Sequence, residues 1–267
     1  MELILLGTGN AQATRCYNTC FALRRDGDYF LVDAGGGNGI FRQLALAQID
    51  LTQIHSLFLT HKHIDHILGV LWLTRIIAQR MDKGAYTGAL TVYGNEEVIG
   101  LLRSLCEMLL QKKQTAHIGR DIFLQPVADG ETREILGAGV TFFDIGSTKA
   151  AQFGFSMEMP DGRRLTCCGD EPYDPREAPF VQNCDWLLHE AFCLSSEADR
   201  FRPYEKHHAT VRDAALLAES MGVKNLVLYH TEDSHLPERK SLYCAEGRQF
   251  YTGNLYVPDD LERLSVF

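Results

Sequence analysis

The residues from His61 to His66 constrain this chain more than any other stretch. They read His-Lys-His-Ile-Asp-His, so three imidazoles and one carboxylate fall within six positions. The segment follows an apolar run at 54–59 that is typical of a buried strand, and an apolar pattern with helical spacing follows it. Imidazole and carboxylate groups bind zinc, and imidazole also suits iron. The spacing predicts a metal site, in which the His-x-His pair converges on one ion and the Asp-His pair holds a second.

Other candidate ligands stand at the ends of apolar strands further along the chain. They are Asp33, Asp170, the pair His189-Glu190, and His230. Loops at the strand ends of a rigid sheet are where catalytic groups accumulate, so we expect these side chains to meet the 61–66 motif. A carboxylate such as Asp170 can bridge two cations. Two ions ~3.5–4 Å apart ionise a water molecule at neutral pH and clamp a phosphoryl or carbonyl oxygen.

The hydrophobic periodicity predicts a mixed α/β chain. Strands are predicted at 2–6, 17–23, 29–32, 54–59, 90–93, 152–159, 164–168, 186–188 and 226–229, and helices at 40–47, 68–81, 96–111 and 210–222. Residues 119–145 alternate like a β-meander. Thr210 and Asp213 form a capping box, and Gly7-Thr8-Gly9-Asn10 is interpreted as a structural turn. No linker or repeat divides the chain, which predicts one domain over residues 1–267.

Charge and cysteine content restrict the partners. The chain has 26 basic and 35 acidic residues, a formal net charge of −9. Because nucleic-acid affinity depends mainly on Lys and Arg neutralising phosphates, this charge disfavours large RNA. Eight cysteines without a Cys-x2-Cys pair predict neither a disulfide framework nor a zinc knuckle. There is no signal-peptide pattern and no apolar run near the ~20 residues that span a bilayer, so a cytoplasmic protein without a membrane partner is expected.

The strand-end histidine motif, the later Gly169-Asp170 and the late His230 together resemble the metallo-β-lactamase superfamily. Within it the sequence looks most like ribonuclease Z and its phosphodiesterase relatives. The residues that carry this second likeness are Leu6-Gly7-Thr8-Gly9-Asn10 with Asn18, His189-Glu190-Ala191, and His208-Ala209-Thr210. The resemblance implies a four-layer αββα sandwich with metal ions at one edge of its two sheets. It also implies a metal-dependent hydrolase of phosphodiester bonds, and a homodimer is one assembly common among similar proteins.

The resemblance also implies a role for individual residues. The metal ligands would be His61 and His63 for the first ion, Asp65, His66 and His230 for the second, and Asp170 as the bridge. The catalytic residues would be Asp65, which takes a proton from the attacking water, and His208, which Glu190 orients as general acid. A histidine held by a carboxylate keeps a proton near neutral pH. One or two divalent ions are expected per chain, zinc first, with manganese or iron as alternatives.

One departure from the family pattern concerns the first metal. Its third histidine should lie six residues before the Gly-aromatic pair Gly154-Phe155, and that position is Thr148. A hydroxyl is a poor zinc ligand. Either another side chain fills the gap, with His207 and Asp144 as candidates, or the first site is weak. We therefore predict unequal occupancy of the two sites.

A second departure concerns the substrate. Ribonuclease Z enzymes that mature transfer RNA carry a long basic arm between the Gly-aromatic pair and the Gly-Asp pair. Here only sixteen positions separate Gly154 from Asp170, and they read as a plain hairpin. A small-molecule or nucleotide phosphodiester therefore fits better than large RNA. The alternatives are an acyl hydrolase of the lactonase or thioesterase type, and a degenerate one-metal sensor or binding module.

The remaining histidines have simpler interpretations. His55 is predicted to be a core or edge residue, and His189 to support Glu190 rather than to bind metal. His117 and His235 have no partner at ligand spacing, and both are predicted to lie on the surface.

Overall fold

In the computed structural model, which describes residues 1–267, the chain divides into two compact units. The first comprises Met1–Gly7, Asn18–Ala128 and Leu261–Phe267, and the second comprises Thr8–Tyr17 and Asp129–Asp260. Each unit contains one seven-stranded sheet and four α-helices. The prediction of one domain over residues 1–267 stays a prediction.

The first sheet begins antiparallel and continues parallel. Its strands, numbered in chain order, are β1 (Glu2–Gly7), β2 (Cys20–Arg25), β3 (Asp28–Val32), β4 (Ile54–Phe58), β5 (Leu90–Gly94), β6 (Ile122–Pro126) and β14 (Arg263–Ser265). Their spatial order is β14-β1-β2-β3-β4-β5-β6, and the pairs from β3 to β6 are parallel. The helices are α1 (Gly39–Leu46), α2 (Ile64–Asp82), α3 (Glu96–Leu109) and α4 (Lys112–Thr115). Parallel neighbours place the carboxyl ends of β3 and β4 at the same edge of the sheet.

The second sheet likewise combines a parallel part with an antiparallel part. Its strands are β7 (Thr132–Ile135), β8 (Ala138–Asp144), β9 (Phe153–Glu158), β10 (Arg164–Cys167), β11 (Trp186–Glu190), β12 (Asn225–Tyr229) and β13 (Asn254–Tyr256). Their spatial order is β13-β12-β11-β10-β9-β8-β7, and the pairs from β10 to β13 are parallel. The helices are α5 (Ala178–Val181), α6 (Ala198–Phe201), α7 (Val211–Ser220) and α8 (Arg239–Gly247). The carboxyl ends of β10, β11 and β12 therefore share one edge.

The β-meander predicted at 119–145 is wrong. β6 pairs in parallel with β5 in the first sheet, whereas β7 and β8 form a hairpin in the second sheet. Alternating hydrophobicity indicates that a segment is a half-buried strand, but it does not indicate which strand pairs with it. The predicted hairpin of β9 and β10 is confirmed, with antiparallel pairing from Arg164–Glu158 to Cys167–Phe155.

A close backbone contact between α2 and the loop after β3 holds the start of this helix in place. The Gly69 N–H donates to the Gly35 carbonyl at 2.8 Å, and a Cβ at Gly69 would stand 1.8 Å from the Ala34 oxygen. Only glycine permits this distance. The loop after β3 is thereby held against the first turns of the helix that carries Asp65 and His66.

The turn after β1 is structural, as its residues indicate. Thr8 donates from its backbone N–H (3.0 Å) and its hydroxyl (2.8 Å) to the carboxylate of Asp260. The buried Arg239 guanidinium donates to the hydroxyls of Thr8 and Thr231, each at 2.9 Å. Protein groups thus occupy the Thr8 N–H and hydroxyl donors that a phosphate would need.

Three further features of the structure concern the start of α7, the cysteines and the helices. The capping box is confirmed, because the Thr210 N–H donates to the Asp213 carboxylate at 2.9 Å and α7 begins at the next residue. All eight cysteines are free thiols. None of the helices combines the length and the apolar character that a membrane span requires.

Candidate metal centre and catalytic pair

In the first unit, the side chains of the 61–66 motif converge at the end of β4. Nε2 of His61 lies 2.8 Å from Nδ1 of His63, and Nε2 of His66 lies 3.4 Å from a carboxylate oxygen of Asp65. The rings of His61 and His66 are 4.1 Å apart between centroids. His61, Asp65 and His66 are buried and His63 is half-buried. These nitrogens and oxygens are close enough together to share divalent ions.

Asp33, at the end of β3, orients two of these imidazoles. Its Oδ1 accepts the Thr60 N–H at 2.9 Å, and its Oδ2 accepts the Thr60 hydroxyl at 2.8 Å and Nδ1–H of His66 at 2.7 Å. Because the hydroxyl proton of Thr60 points to Asp33, its oxygen accepts Nδ1–H of His61 at 2.9 Å. Both imidazoles therefore carry the proton on Nδ1 and keep a lone pair on Nε2. This is the arrangement that metal-binding histidines use, and the donor set fits a divalent metal.

In the second unit, Asp170 lies buried just past β10 and close to His230, which follows β12. Oδ2 of Asp170 is 3.4 Å from Nε2 of His230. Oδ1 of Asp170 accepts a hydrogen bond from the side-chain amide of Gln152. Sequence reasoning missed Gln152, although a polar residue directly before the apolar β9 strand was a usable signal. The buried amide holds one carboxylate oxygen and leaves the other facing His230.

The second unit also brings together His208 and Glu190. Nδ1 of His208 lies 2.7 Å from Oε2 of Glu190 and 3.1 Å from the carbonyl oxygen of Asp170. Oε1 of the fully buried Glu190 accepts the Ala209 N–H at 2.8 Å. The His208 ring stacks on Phe192 with centroids 4.8 Å apart and lies 5.4 Å from the ring of His230. The imidazole is thus fixed with Nε2 directed away from Glu190.

Burial controls the charge of this pair. Burial raises the pKa of the Glu190 carboxyl, and the Asp170 charge adds to this rise. Burial lowers the pKa of the His208 imidazole, and there the Asp170 charge acts in the opposite direction. Both shifts favour a pair that shares one exchangeable proton and has no net charge. Whether that proton lies on the carboxyl or on Nδ1, Nε2 of His208 carries a hydrogen. The pair is therefore suited to donate a proton from Nε2.

The structure gives no support to His207 or Asp144 as a replacement for the histidine that Thr148 displaces. Thr148 is exposed, and so is His207, which follows a short 3₁₀ turn. Asp144 accepts the Gly146 N–H at 2.8 Å and lies 3.5 Å from the Arg176 guanidinium. Neither His207 nor Asp144 belongs to a cluster of three or more ligand atoms.

The other histidines have structural contacts. His189 is buried and its Nδ1–H donates to the backbone carbonyl of Glu190 at 2.8 Å, while burial lowers its pKa. His55 is half-buried, with Nδ1 3.1 Å from the Ala89 carbonyl oxygen. The surface position predicted for His117 is wrong. Its side chain is buried between the carboxylates of Asp82 (2.9 Å) and Asp121 (2.7 Å), which replace water as hydrogen-bond partners.

Comparison with known proteins identifies the family. The family model described as Anti-Pycsar protein Apyc1 matches residues 1–249. The chain belongs to this family. Among curated relatives, the ribonuclease Z of Thermococcus onnurineus is 25% identical to this Apyc1-family chain, over 99% of the chain and 94% of the relative.

Solved structures of similar proteins share the fold. The metallo-beta-lactamase fold protein YhfI from Bacillus subtilis gives a TM-score of 0.79 at 14% identity, with 98% of each chain covered. Zn²⁺-bound PqqB from Methylobacterium extorquens gives a TM-score of 0.76 at 16% identity, over 99% of this chain and 100% of PqqB. The predicted α/β metallo-β-lactamase fold, with two large sheets, is confirmed. So are the ribonuclease Z-like assignment and the prediction of a metal-dependent hydrolase.

Proposed function

We propose that this chain is a phosphodiesterase that acts on small phosphodiesters, nucleotides included, rather than on large RNA. The observation that carries the proposal is the pair of His208 and Glu190 beside Asp170. Cleavage of a phosphodiester expels an alkoxide or aryloxide, which needs a proton from a positioned acid. Nε2 of His208 supplies that proton, and Glu190 fixes the ring through Nδ1.

The proposal assigns the metal to six residues, in accordance with the family resemblance. They are His61, His63, Asp65, His66, Asp170 and His230. The buried donors within each unit support this set, because imidazole and carboxylate suit zinc first and also manganese or iron. When bound, the metal supplies Lewis-acid polarisation and lowers the pKa of water. Asp65 accepts the proton that the attacking water loses.

The size of the substrate is inferred from the connection between β9 and β10. The two strands are joined directly through 159–163, with a turn at Pro160-Asp161-Gly162, so no basic arm projects there. The net charge of −9 also disfavours a polyanion with many phosphates. A substrate with a single phosphodiester needs neither an arm nor a basic track.

The test compares phosphodiester and ester substrates in matched variants. A bis-aryl phosphodiester, a dinucleotide, a transfer-RNA precursor and a panel of lactones are assayed with the wild-type chain, His208→Ala and His207→Ala. We expect the wild type to cleave the first two, and His208→Ala to lose about 10²–10⁴-fold in kcat at unchanged metal content. The exposed neighbour His207 is the control, and its variant should retain full activity.

Two results would contradict the proposal. Lactones turned over faster than phosphodiesters, with His208→Ala impaired on neither, would favour an acyl hydrolase. Rapid processing of the transfer-RNA precursor with no cleavage of the dinucleotide would contradict the small-substrate assignment. A homodimer and a cytoplasmic location stay predictions, which size-exclusion light scattering and cell fractionation can examine.

A further inference from the structure

We propose that Glu197, Glu232 and His235 form an additional divalent-cation site, outside the residues assigned above. One ligand atom from each of these three side chains lies within 4.8 Å of the others. Nε2 of His235 is 3.0 Å from Oε1 of Glu197. Two carboxylates and one imidazole are a donor set that zinc and manganese accept.

Orphaned oxygen atoms point to a ligand at this cluster. Glu232 is 5% exposed, and its Oε2 accepts the Ser234 N–H at 2.6 Å, but its Oε1 is buried without a hydrogen-bond partner. Oε2 of Glu197 is likewise buried and without a partner. A buried carboxylate oxygen without a donor is unfavourable because its hydration is lost and nothing replaces it. A cation between the two carboxylates would satisfy both orphaned atoms.

The positive side chains around the cluster do not neutralise both of its carboxylates. The Arg200 guanidinium donates to Oε1 of Glu197 at 3.0 Å and balances one carboxylate. Its side chain is mostly exposed, so it can turn toward water when an ion binds. The nearby carboxylate of Glu246 is already occupied by the Ser195 N–H at 2.9 and 3.1 Å. Oε1 of Glu232 accepts no hydrogen bond from a Lys or Arg side chain.

The place of the cluster in the fold indicates what an ion would do. Glu197 precedes α6, on the segment that follows the β11 strand and Glu190, whereas Glu232 and His235 lie on the loop after His230. A backbone hydrogen bond of 2.7 Å from the Glu232 N–H to the Phe192 carbonyl already joins the two segments. An ion would also link the two segments through their side chains. It would thereby restrict the movement of Phe192, on which the His208 ring stacks. The expected role is structural.

The experiment counts zinc in a chain whose proposed metal centre has been removed. The background variant is His63→Ala/His66→Ala, dialysed against zinc and then against buffer, and analysed by mass spectrometry of the metal. We expect about one zinc per chain to remain, and added zinc to raise the melting temperature. Adding Glu232→Gln should abolish both the retained zinc and the rise. Glu238→Gln, an exposed acid on the same loop, is the matched control and should preserve both.

A second comparison does not use the background variant, so its result holds even if that variant unfolds. The wild-type chain should hold about one zinc more than either Glu232→Gln or His235→Asn, each checked for a native circular dichroism spectrum. Equal zinc content in the wild type and both variants, or a melting temperature that rises equally with zinc in all three, would overturn the proposal. Because this readout is independent of catalysis, an inactive enzyme that still shows zinc dependent on Glu232 would reject the proposed function and not this site.

Discussion

Nδ1 of His66 donates to Oδ2 of Asp33 at 2.7 Å, and both side chains are buried. The same carboxylate receives the Thr60 hydroxyl, whose oxygen in turn receives Nδ1–H of His61. One acid outside the proposed ligand set therefore orients two imidazoles within it. Asp33 does so from the left-handed backbone region, at a φ of 54°.

This relationship predicts that Asp33→Ala weakens metal binding without removing a ligand. Partners that orient metal-binding histidines are worth about 10–100-fold in affinity, so a loss of that size is expected. Competition with a coloured chelator measures it. Asp28→Ala, an exposed aspartate at the start of β3, is the control and should bind as the wild type does. An Asp33→Ala variant with wild-type affinity would refute the orienting role.

Thr148 predicts unequal metal sites. Because neither His207 nor Asp144 belongs to a cluster of ligand atoms, the first ion should dissociate at lower chelator concentration than the second. Thr148→His should strengthen the weaker site at least tenfold, because it restores an imidazole where the family pattern has one. Stepwise chelator titration in a Glu232→Gln background isolates these two ions. Two ions of equal affinity before the substitution would contradict the prediction.

The close approach at Gly69 predicts opposite outcomes for two glycines in helices. Gly69→Ala should destabilise the chain by about 2 kcal/mol or more, since the new Cβ would stand 1.8 Å from the Ala34 oxygen and the backbone would have to move. Gly100, on the exposed face of α3, has no atom near a Cβ, so Gly100→Ala should stabilise by ~0.5–1 kcal/mol. Urea unfolding measures both. Equal changes in the free energy of unfolding would show that the packing of α2 does not depend on the close contact between Gly69 and Ala34.

Buried Glu177 predicts a pH dependence of stability. Burial raises its pKa to about 8 from an ordinary value of 4.5, and its Oε2 has no hydrogen-bond partner. Between these values the folded chain holds a proton that the unfolded chain has released, so the free energy of unfolding falls as pH rises. The expected fall is ~1.4 kcal/mol per pH unit well below pH 8 and about half of that at pH 8, which gives roughly 2 kcal/mol from pH 6 to pH 8.

Glu177→Gln removes the ionisable group and keeps an oxygen for the Asp174 N–H, which now donates to Oε1 at 2.8 Å. The variant should therefore lose this part of the pH dependence. Its free energy of unfolding should exceed that of the wild type by the largest amount at pH 8. Urea unfolding at pH 6, 7 and 8 gives the two slopes. Parallel slopes would mean that Glu177 is ionised in the folded chain at all three pH values.

The local elements were largely predictable. The apolar runs at 54–59 and 226–229 became β4 and β12, and the capping box at Thr210 begins α7. These features depend on spacing within a few residues, which the sequence displays directly. The hydrophobic pattern groups β6 with strands of the other sheet and does not indicate the short β13 and β14 strands, because strand pairing depends on partners far away in the chain.

The sequence by itself determined the chemistry of this protein: which side chains can bind a metal, and that they stand at strand ends. Ligand type and strand periodicity are local properties, so residues such as His61 and Asp170 could be recognised without coordinates. Only the tertiary structure decided which groups support them. The contacts of Asp33 with His66, of Gln152 with Asp170 and of Glu197 with His235 join residues 18 to 38 positions apart. No local pattern encodes such contacts, because they arise when separate strand ends and loops are brought side by side.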